Sequence, residues 1–284
     1  MLSLLLLVGR GTAADLAEDQ EALVRALGQS AAAAEQNATP VRLALFDVDA
    51  GTGKPREGQQ ELKAILEAQS TIACQTVSGL DVQQGILKQF DVVLFPGGYA
   101  PTQYAVLDDD GRAAVKQFVR DGGGYVGICA GAFLASSKYG AGLDLIDVTP
   151  LGRRDENGKM IPSSGPHGSG KVKMELTGAG QKLFGGPAGE FEAMFSGGPV
   201  LSPAGTDLSA YVALGMIRGQ ATTYESQQGD MVDTPAIVAG RFGEGHVIVF
   251  SPHLEFSEGF ESLVRRGILA ARRFPPATPA EKTE

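Results

Sequence analysis

Two hydrophobic patterns follow each other along this chain. From residue 41 to residue 140, continuous apolar runs alternate with amphipathic stretches of helical period. Continuous runs of this kind predict strands buried on both faces, as in a parallel sheet covered by helices. The apolar runs are VRLALFD (41–47), TIACQTV (71–77), DVVLFPGG (91–98) and GYVGI (124–128), and the helical stretches are 57–69, 81–90, 108–123 and 130–140.

The second pattern begins near residue 144. Short strand candidates follow one another there, separated by loops rich in Gly and Pro, and FGEG (242–245) is typical of a hairpin turn. The sequence therefore predicts an α/β fold with a mainly parallel sheet and an antiparallel extension in its second half. The strand candidates are 144–148, 171–176, 191–195, 211–217, 236–242 and 245–251, and a last helix is predicted over 258–274.

The ends of the chain differ from this core. Residues 1–14 combine a short apolar run with small residues, which predicts a truncated signal peptide too short to span a bilayer. We therefore expect export to the periplasm or the extracellular space, with a cytoplasmic protein as the alternative. An Ala-rich polar lead-in, helical or flexible, is predicted over 15–40, a single domain over 41–274, and a disordered tail over 275–284.

Charge and composition narrow the classes of partner. The net charge of −9 argues against nucleic acid or an anionic membrane, and we expect no membrane insertion. Cys74 and Cys129 lack the spacing of a metal site. GPHGSGK (165–171) lacks the hydroxyl residue that a phosphate loop requires next, because position 172 is Val. We expect no metal, no cofactor and a small-molecule substrate, and we leave a homodimer or a partner protein open.

Cys129 lies in GICAG (127–131), between an apolar strand and a helix. A nucleophile on such a sharp turn projects above the sheet edge, and the flanking glycines permit a close approach of strand and helix. The helix N-terminus also favours a thiolate. Cys129 is therefore a candidate nucleophile, and the alternative is a small residue that fills a tight corner.

Three histidines could supply a base for Cys129. His246 lies inside a predicted strand, and His167 lies in a loop. His253 directly follows the last strand, at the sheet edge where active sites of open α/β sheets gather. Glu255 follows two residues later, so its carboxylate could hold the imidazole in one tautomer. His253 and Glu255 are the candidate base and orienting group, and a surface His beside a Glu is the alternative.

A glycine turn ends the strand that precedes the Cys129 strand. Glycine N–H groups can approach a substrate oxygen closely, and with the N–H of Ala130 they predict a two-donor oxyanion site. A plain turn is the alternative. The expected oxyanion and substrate-binding residues are Gly97, Gly98, Tyr99, Ala130, Ser196 and Gly197.

These motifs resemble a known superfamily. FPGG (95–98), GGGYVGICAGAFLAS (122–136) and the late His-x-Glu resemble the class I glutamine amidotransferase-like superfamily. Within it, GICAGAFLAS, SGGP (196–199) and HGSGKVKMELTGAGQKLF (167–184) are similar to the biotin-protein ligase N-terminal domain-like family. The resemblance covers residues 41–272 and implies a flavodoxin-like three-layer sandwich, a Cys129–His253–Glu255 triad and amide or thioester chemistry. It does not imply biotin ligation.

One position departs from the superfamily pattern. Glutamine-using members resemble Gly-x-Cys-x-Gly-x-Gln, and Phe133 occupies the Gln position here. An apolar ring cannot make those hydrogen bonds, so we do not expect a full glutamine amidotransferase. The first hypothesis is a cysteine hydrolase of a small amide or peptide-like compound. The second is a non-catalytic ligand-binding or redox-sensing protein on the same scaffold, and the third is a purely structural module.

Overall fold

The structure, a computed structural model, describes residues 12–50, 57–151, 153–154, 160–161, 168–221 and 231–272. The helices are α1 (Ala13–Gln36), α2 (Glu57–Glu67), α3 (Gly79–Gln83), α4 (Ala100–Arg120), α5 (Ala130–Ala135), α6 (Gly178–Phe184) and α7 (Glu261–Ala271). The strands are β1 (Val41–Phe46), β2 (Ile72–Val77), β3 (Val92–Phe95), β4 (Gly124–Ile128), β5 (Val148–Pro150), β6 (Arg153–Arg154), β7 (Met160–Ile161), β8 (Ser169–Leu176), β9 (Glu190–Ser196), β10 (Leu201–Pro203), β11 (Val212–Ile217), β12 (Pro235–Phe242) and β13 (Gly245–Phe250).

A nine-stranded sheet organises the molecule, in the order β2-β1-β3-β4-β13-β12-β11-β8-β9. The first five strands of this order run parallel to one another, and the pairs from β13 to β9 are antiparallel. β12 and β13 form the hairpin predicted at FGEG. The predicted α/β class, with a parallel core and an antiparallel extension, is confirmed.

Helices cover both faces of the sheet, and each face has its own apolar core. Leu27 of α1, Leu62 of α2 and Ile268 of α7 belong to one cluster of buried side chains. Leu107 of α4 and Leu134 of α5 belong to the other. This arrangement gives the three layers that the continuous apolar strands predict.

Helix α1 packs onto this architecture as part of the first layer. Thr12 caps it in a capping box with Asp15. Leu27 is fully buried in the cluster shared with α7, and the Glu35 carboxylate pairs with Arg266 at 2.8 Å. Among the helices that the structure describes, none is both long and apolar enough to cross a membrane. Residues 1–11 of the predicted signal peptide and the predicted tail at 275–284 lie outside the described residues.

Several element boundaries differ from the predicted ones, and three of the differences have a local cause. The helix predicted over 130–140 ends at Ala135, because Ser136 takes an extended conformation and its hydroxyl donates to Ala132. Of the strand predicted over 144–148, only Val148 belongs to a strand, β5. Asp144 has a positive φ of 50°, which is incompatible with an extended strand at that end. Helix α4 begins before the predicted residue 108, with a kink at Asp108, whose carboxylate accepts from the amides that start its second part.

Candidate active site

The candidate site lies where two neighbouring parallel strands end. Ile128 of β4 and Phe250 of β13 are in register, and the Cys129 amide donates to the Phe250 carbonyl at 2.8 Å. The loop after β13 then carries His253. Two segments that are distant in sequence therefore meet at the carboxyl edge of the sheet, which is the usual position of ligand sites in open α/β folds.

Cys129 sits on a sharp strand–helix turn. Its backbone has φ 50° and ψ −100°, and only 5% of the residue is exposed. A Cβ at Gly127 would collide with the carbonyl oxygen of Gly131, and a Cβ at Gly131 would collide with that of Phe95. Both flanking glycines are therefore required by backbone contacts. Such a positive φ at a non-glycine residue is typical of functional turns.

His253 and Glu255 form a buried pair. His253 Nδ1 lies 2.8 Å from Glu255 Oε1, with the His253 side chain 13% exposed and that of Glu255 2% exposed. Burial lowers the pKa of His253, but hydrogen bonds to Cys129 and Glu255, together with the negative charges of both, outweigh it and raise this pKa to about 10. The surroundings of the imidazole therefore favour its protonated form.

Backbone contacts fix the position of His253. Its amide donates to the Met194 carbonyl of β9 at 2.8 Å. The Ser257 hydroxyl donates to the His253 carbonyl at 2.7 Å and accepts from the Met194 amide at 2.9 Å. The 3₁₀ turn Leu254–Phe256 follows directly and carries Glu255. The loop after β13 is thereby tied to the edge strand of the antiparallel extension.

The glycine turn after β3 lies against the His253 ring. A Cβ at Gly97 would come within 2.5 Å of His253 Cε1, so only glycine fits there. Gly98 has φ 138°, a conformation that also favours glycine. The buried Gln103 of α4 donates from Nε2 to the Pro96 carbonyl at 2.8 Å and supports this turn.

Three further predicted positions, Ala130, Ser196 and Gly197, lie near the cysteine. Ala130 is the first residue of α5, and the first N–H groups of a helix lack partners within it. The Cys129 thiol donates to the Ser196 carbonyl at 3.5 Å. Gly197 follows with φ 65°, and its amide donates to the Gly168 carbonyl at 3.0 Å. Ser196 therefore contacts Cys129 through its backbone.

A cavity of about 230 Å³ opens between the glycine turn and the His253–Glu255 pair, and Cys129 is not among the residues that line it. Gln59 of α2 also lines this cavity. Its side-chain amide nitrogen donates to the Asp47 carboxylate. Glu255 Oε2 is buried and has no hydrogen-bond partner among the described residues. The lining residues are Gly58, Gln59, Leu62, Pro96, Gly97, Gly98, His253, Glu255 and Phe256.

The other titratable candidates are less suited to catalysis. His246 lies inside β13 as predicted, and burial, with the charge of Arg241, lowers its pKa to about 4. Burial and the charge of Glu67 raise the pKa of the Cys74 thiol to about 12. No cluster of metal-ligating side chains occurs within the described part of the chain. His167 lies outside the described residues.

Phe133 occupies a small apolar cluster beside Cys129. It is buried with Ala100 and Ala130, and its ring centroid lies 5.4 Å from that of Tyr139. The Phe133 amide donates to the Cys129 carbonyl at 3.1 Å, so Phe133 lies one helical turn beyond Cys129. No amide group is available at this position to bind a substrate glutamine.

Sequence reasoning missed three residues that bear on the site: Gln59, Gln103 and Met194. Gln59 and Gln103 are polar residues on the buried faces of amphipathic helices, and that mismatch with the hydrophobic pattern is a signal that could have identified them. Met194 offered no such signal, because its role depends on the pairing of β9 with the loop after β13.

The fold is α/β with a flavodoxin-like sheet, and its motif order is similar to that of glutamine amidotransferase-like proteins. Residues 51–155 match the family described as "Biotin-protein ligase, N terminal", which confirms the family that the motifs resemble. A relative from Chlamydia muridarum, named only "Uncharacterized protein", is 27% identical over 189 residues, and the match covers 64% of this chain and 66% of that protein.

Solved structures share the fold at low sequence identity. A cytoplasmic protein from Salmonella typhimurium is 14% identical with a TM-score of 0.56, and the match covers 82% of this chain and 100% of that one. PurLQS from Thermotoga maritima is also 14% identical, with a TM-score of 0.54, and the match covers 81% of this chain and 98% of that one. These likenesses concern the fold alone.

Proposed function

We propose that this protein is a cysteine hydrolase that cleaves a small amide or peptide-like compound, with Cys129 as nucleophile, His253 as base and acid, and Glu255 as the orienting carboxylate. The observation that carries the proposal is the His253 imidazole, which hydrogen-bonds Glu255 at 2.8 Å on the loop after β13, the strand whose last residue, Phe250, accepts from the Cys129 amide. An imidazolium beside a cysteine sulfur stabilises the thiolate, which is the reactive form.

Each group has a defined part in the proposed reaction. The Cys129 thiolate attacks the amide carbonyl carbon, a C–S bond forms, and the oxygen takes the negative charge. The amides of Gly98 and Ala130 are proposed to bind that oxygen. The C–N bond then breaks as His253 gives its proton to the leaving nitrogen. Water, deprotonated by His253, attacks the thioester, and the carboxylic acid leaves as the C–S bond breaks.

The substrate-side residues favour hydrolysis over transfer from glutamine. Phe133 lacks the hydrogen-bonding groups that a glutamine side chain would need. The small cavity lined by the glycine turn and by His253 fits a compact group rather than a folded protein. A small or peptide-like amide therefore agrees best with the site.

The reactivity of the Cys129 thiol tests this proposal. In a Cys74→Ser background, we expect iodoacetamide to alkylate Cys129 near pH 6.5 faster than it alkylates glutathione, because the His253 proton stabilises the thiolate. His253→Ala should slow alkylation about tenfold or more. Alkylation is followed by mass spectrometry across pH, with Cys129→Ser as the blank.

The control is His246→Ala, which changes a histidine outside the site and should leave the rate unchanged. Cys129 that reacts no faster than glutathione, or whose rate is indifferent to His253→Ala, would contradict the hydrolase. The ligand-binding alternative would then account better for the site.

A further inference from the structure

A second cavity lies on the other side of Glu255 from the glycine turn. Its volume is about 480 Å³, and residues of α2, of α7 and of the 3₁₀ turn Leu254–Phe256 line it. We call this cavity the α2–α7 groove. Leu62 and Glu255 line both the groove and the cavity beside the glycine turn, so these two side chains stand between the two cavities.

Aliphatic side chains line the groove from both helices. Ile65 and Leu66 come from α2, and Val264 comes from α7. Leu66 and Val264 are buried, whereas Ile65 is partly exposed. Small-molecule sites combine walls of this kind with a few placed polar groups. The groove therefore suits the hydrocarbon body of a small ligand.

Glu255 brings a half-satisfied carboxylate to this groove. Its Oε1 lies 2.8 Å from His253 Nδ1, whereas its Oε2 is buried and has no hydrogen-bond partner among the described residues. A buried acceptor without a donor costs free energy, and the cost is larger for a charged group. A ligand in the groove that donates to Oε2 recovers this free energy.

The other charged residues of the groove favour a cation as the donor. Glu261, in the first turn of α7, adds a second carboxylate. The Arg265 guanidinium is already engaged, because it donates to Thr71 Oγ1 at 3.2 Å and pairs with Glu35 at 3.4 Å. A positively charged donor therefore matches the groove better than a neutral or an anionic one.

We propose that the α2–α7 groove binds a small primary amine with a compact hydrocarbon body, and that its ammonium group donates a hydrogen bond to Glu255 Oε2. The bound ammonium shares the carboxylate with the His253 imidazole, so occupancy of the groove weakens the His253–Glu255 contact. The proposal goes beyond the proposed hydrolase. It does not require Cys129 to be a nucleophile, so it can fail or succeed independently of the alkylation tests.

Three compounds of similar size and different charge test the site: cyclohexylammonium, cyclohexanol and cyclohexanecarboxylate. Their binding to the unmodified protein is measured at neutral pH by saturation-transfer NMR with a concentration series. We expect cyclohexylammonium to bind about tenfold or more tightly than cyclohexanol, the scale of a hydrogen bond to a charged group, and cyclohexanecarboxylate to bind least. Equal binding of the amine and the alcohol, or no transfer to the amine, overturns the proposal.

The His253 ring reports whether the amine reaches Glu255. Cyclohexylammonium should shift the ring-proton signal of His253 as the groove fills, because the ligand draws on the same carboxylate. The His246 signal is the internal control, since His246 lies inside β13. An amine that binds without moving the His253 signal does not contact Glu255, and this result overturns the proposal.

Charge-removing variants assign the ammonium contact. Glu255→Gln keeps the shape of the side chain, so it should lower the affinity for cyclohexylammonium about tenfold and leave that for cyclohexanol within about twofold. The matched control is Glu67→Gln, which makes the same change on α2 at an exposed residue that pairs with Lys63 at 2.9 Å. Equal losses in the two variants show a general effect of protein charge and overturn the assignment.

Two bulky substitutions distinguish the two cavities that Glu255 lines. Ile65→Trp narrows the α2–α7 groove, and Gly58→Leu narrows the cavity beside His253. A Cβ at Gly58 meets only Phe256, at 3.9 Å, so the backbone there accepts a side chain. We expect Ile65→Trp to abolish amine binding and Gly58→Leu to retain it, with folding of both variants checked by circular dichroism. The opposite pattern places the amine beside His253 and overturns the proposal.

Discussion

The interaction between the His253 imidazole and the Glu255 carboxylate is the main electrostatic feature described at the site. Glu255 is almost fully buried, so its charge acts on the imidazole with little screening by water. The pKa of His253 rises from 6.5 to about 10. A group whose pKa is raised on folding stabilises the fold fully below its unfolded value and loses that effect as the pH rises through its folded value. This pair therefore favours folding below pH 6.5 and ceases to do so above about pH 10.

An NMR titration of the two described histidines provides a test at this scale. We expect the His253 ring proton to titrate near pH 10 and the His246 ring proton near pH 4. Glu255→Gln removes the negative charge with little change of shape, so the His253 titration should move to lower pH. The His246 titration should stay in place as the internal control. An unchanged His253 titration in Glu255→Gln would contradict the assigned cause.

At the scale of elements, the turn from β4 into α5 combines strain with close packing. The Gly131 carbonyl accepts from the buried Tyr125 hydroxyl at 2.8 Å, and the Gly131 Cα faces the Phe95 carbonyl. The turn is therefore fastened to β3 and β4 at once. A backbone held in this way can keep the unusual φ of Cys129.

Alanine substitutions at two helical glycines test how much the close packing of this turn contributes to stability. Gly131→Ala forces a Cβ against the Phe95 carbonyl and should lower the free energy of unfolding by about 2 kcal/mol or more, since overpacking costs ~1–3 kcal/mol. Gly178→Ala is the matched control, because Gly178 opens α6 and a Cβ there meets nothing within 4 Å. Urea denaturation compares both variants with the parent protein. Equal effects of the two substitutions would show that the close approach is not limiting.

Most residues of the candidate site could be predicted from local sequence patterns. The glycine spacing around Cys129 and the adjacency of His253 and Glu255 are short-range patterns, and the described contacts agree with their placement at one sheet edge. The support from Gln103 and Met194 could not be predicted, because each depends on a contact with a segment distant in the chain. The same limit explains the shorter helix α5. Its end depends on the Ser136 hydroxyl, which bonds to the backbone, and not on hydrophobic period.

At the scale of the whole molecule, α1 completes the layer formed by α7 and α6. Leu27 and Ala31 are fully buried in that layer. The domain boundary predicted at residue 41 places these side chains outside the fold, because an Ala-rich stretch with many polar residues carries a weak amphipathic signal. The packing of α1 depends on the complementary face of α7, which cannot be recognised from α1 alone.

Two truncated chains test whether α1 is an integral part of the fold. A chain that begins at Asp15 loses the Thr12 cap and should lose about 1 kcal/mol of stability. A chain that begins at Asn37 lacks all of α1 and exposes the apolar face of α7, so we expect it to aggregate or to unfold at much lower urea concentration. Circular dichroism during urea titration measures both. Equal stability of the second chain and the parent would show that α1 is only a lead-in.

The contact of α1 with α7 also has a mechanical consequence. A pulling force applied at residues 12 and 272 acts first on these two outer helices, which side chains such as Glu35 and Arg266 hold together. Side-chain contacts can yield one after another, whereas the hydrogen bonds of paired strands resist together when they are sheared. Under tension, the helical layer should therefore peel away in small steps before the sheet breaks in one large step. The turn that carries Cys129 would then outlast the two ends of the chain.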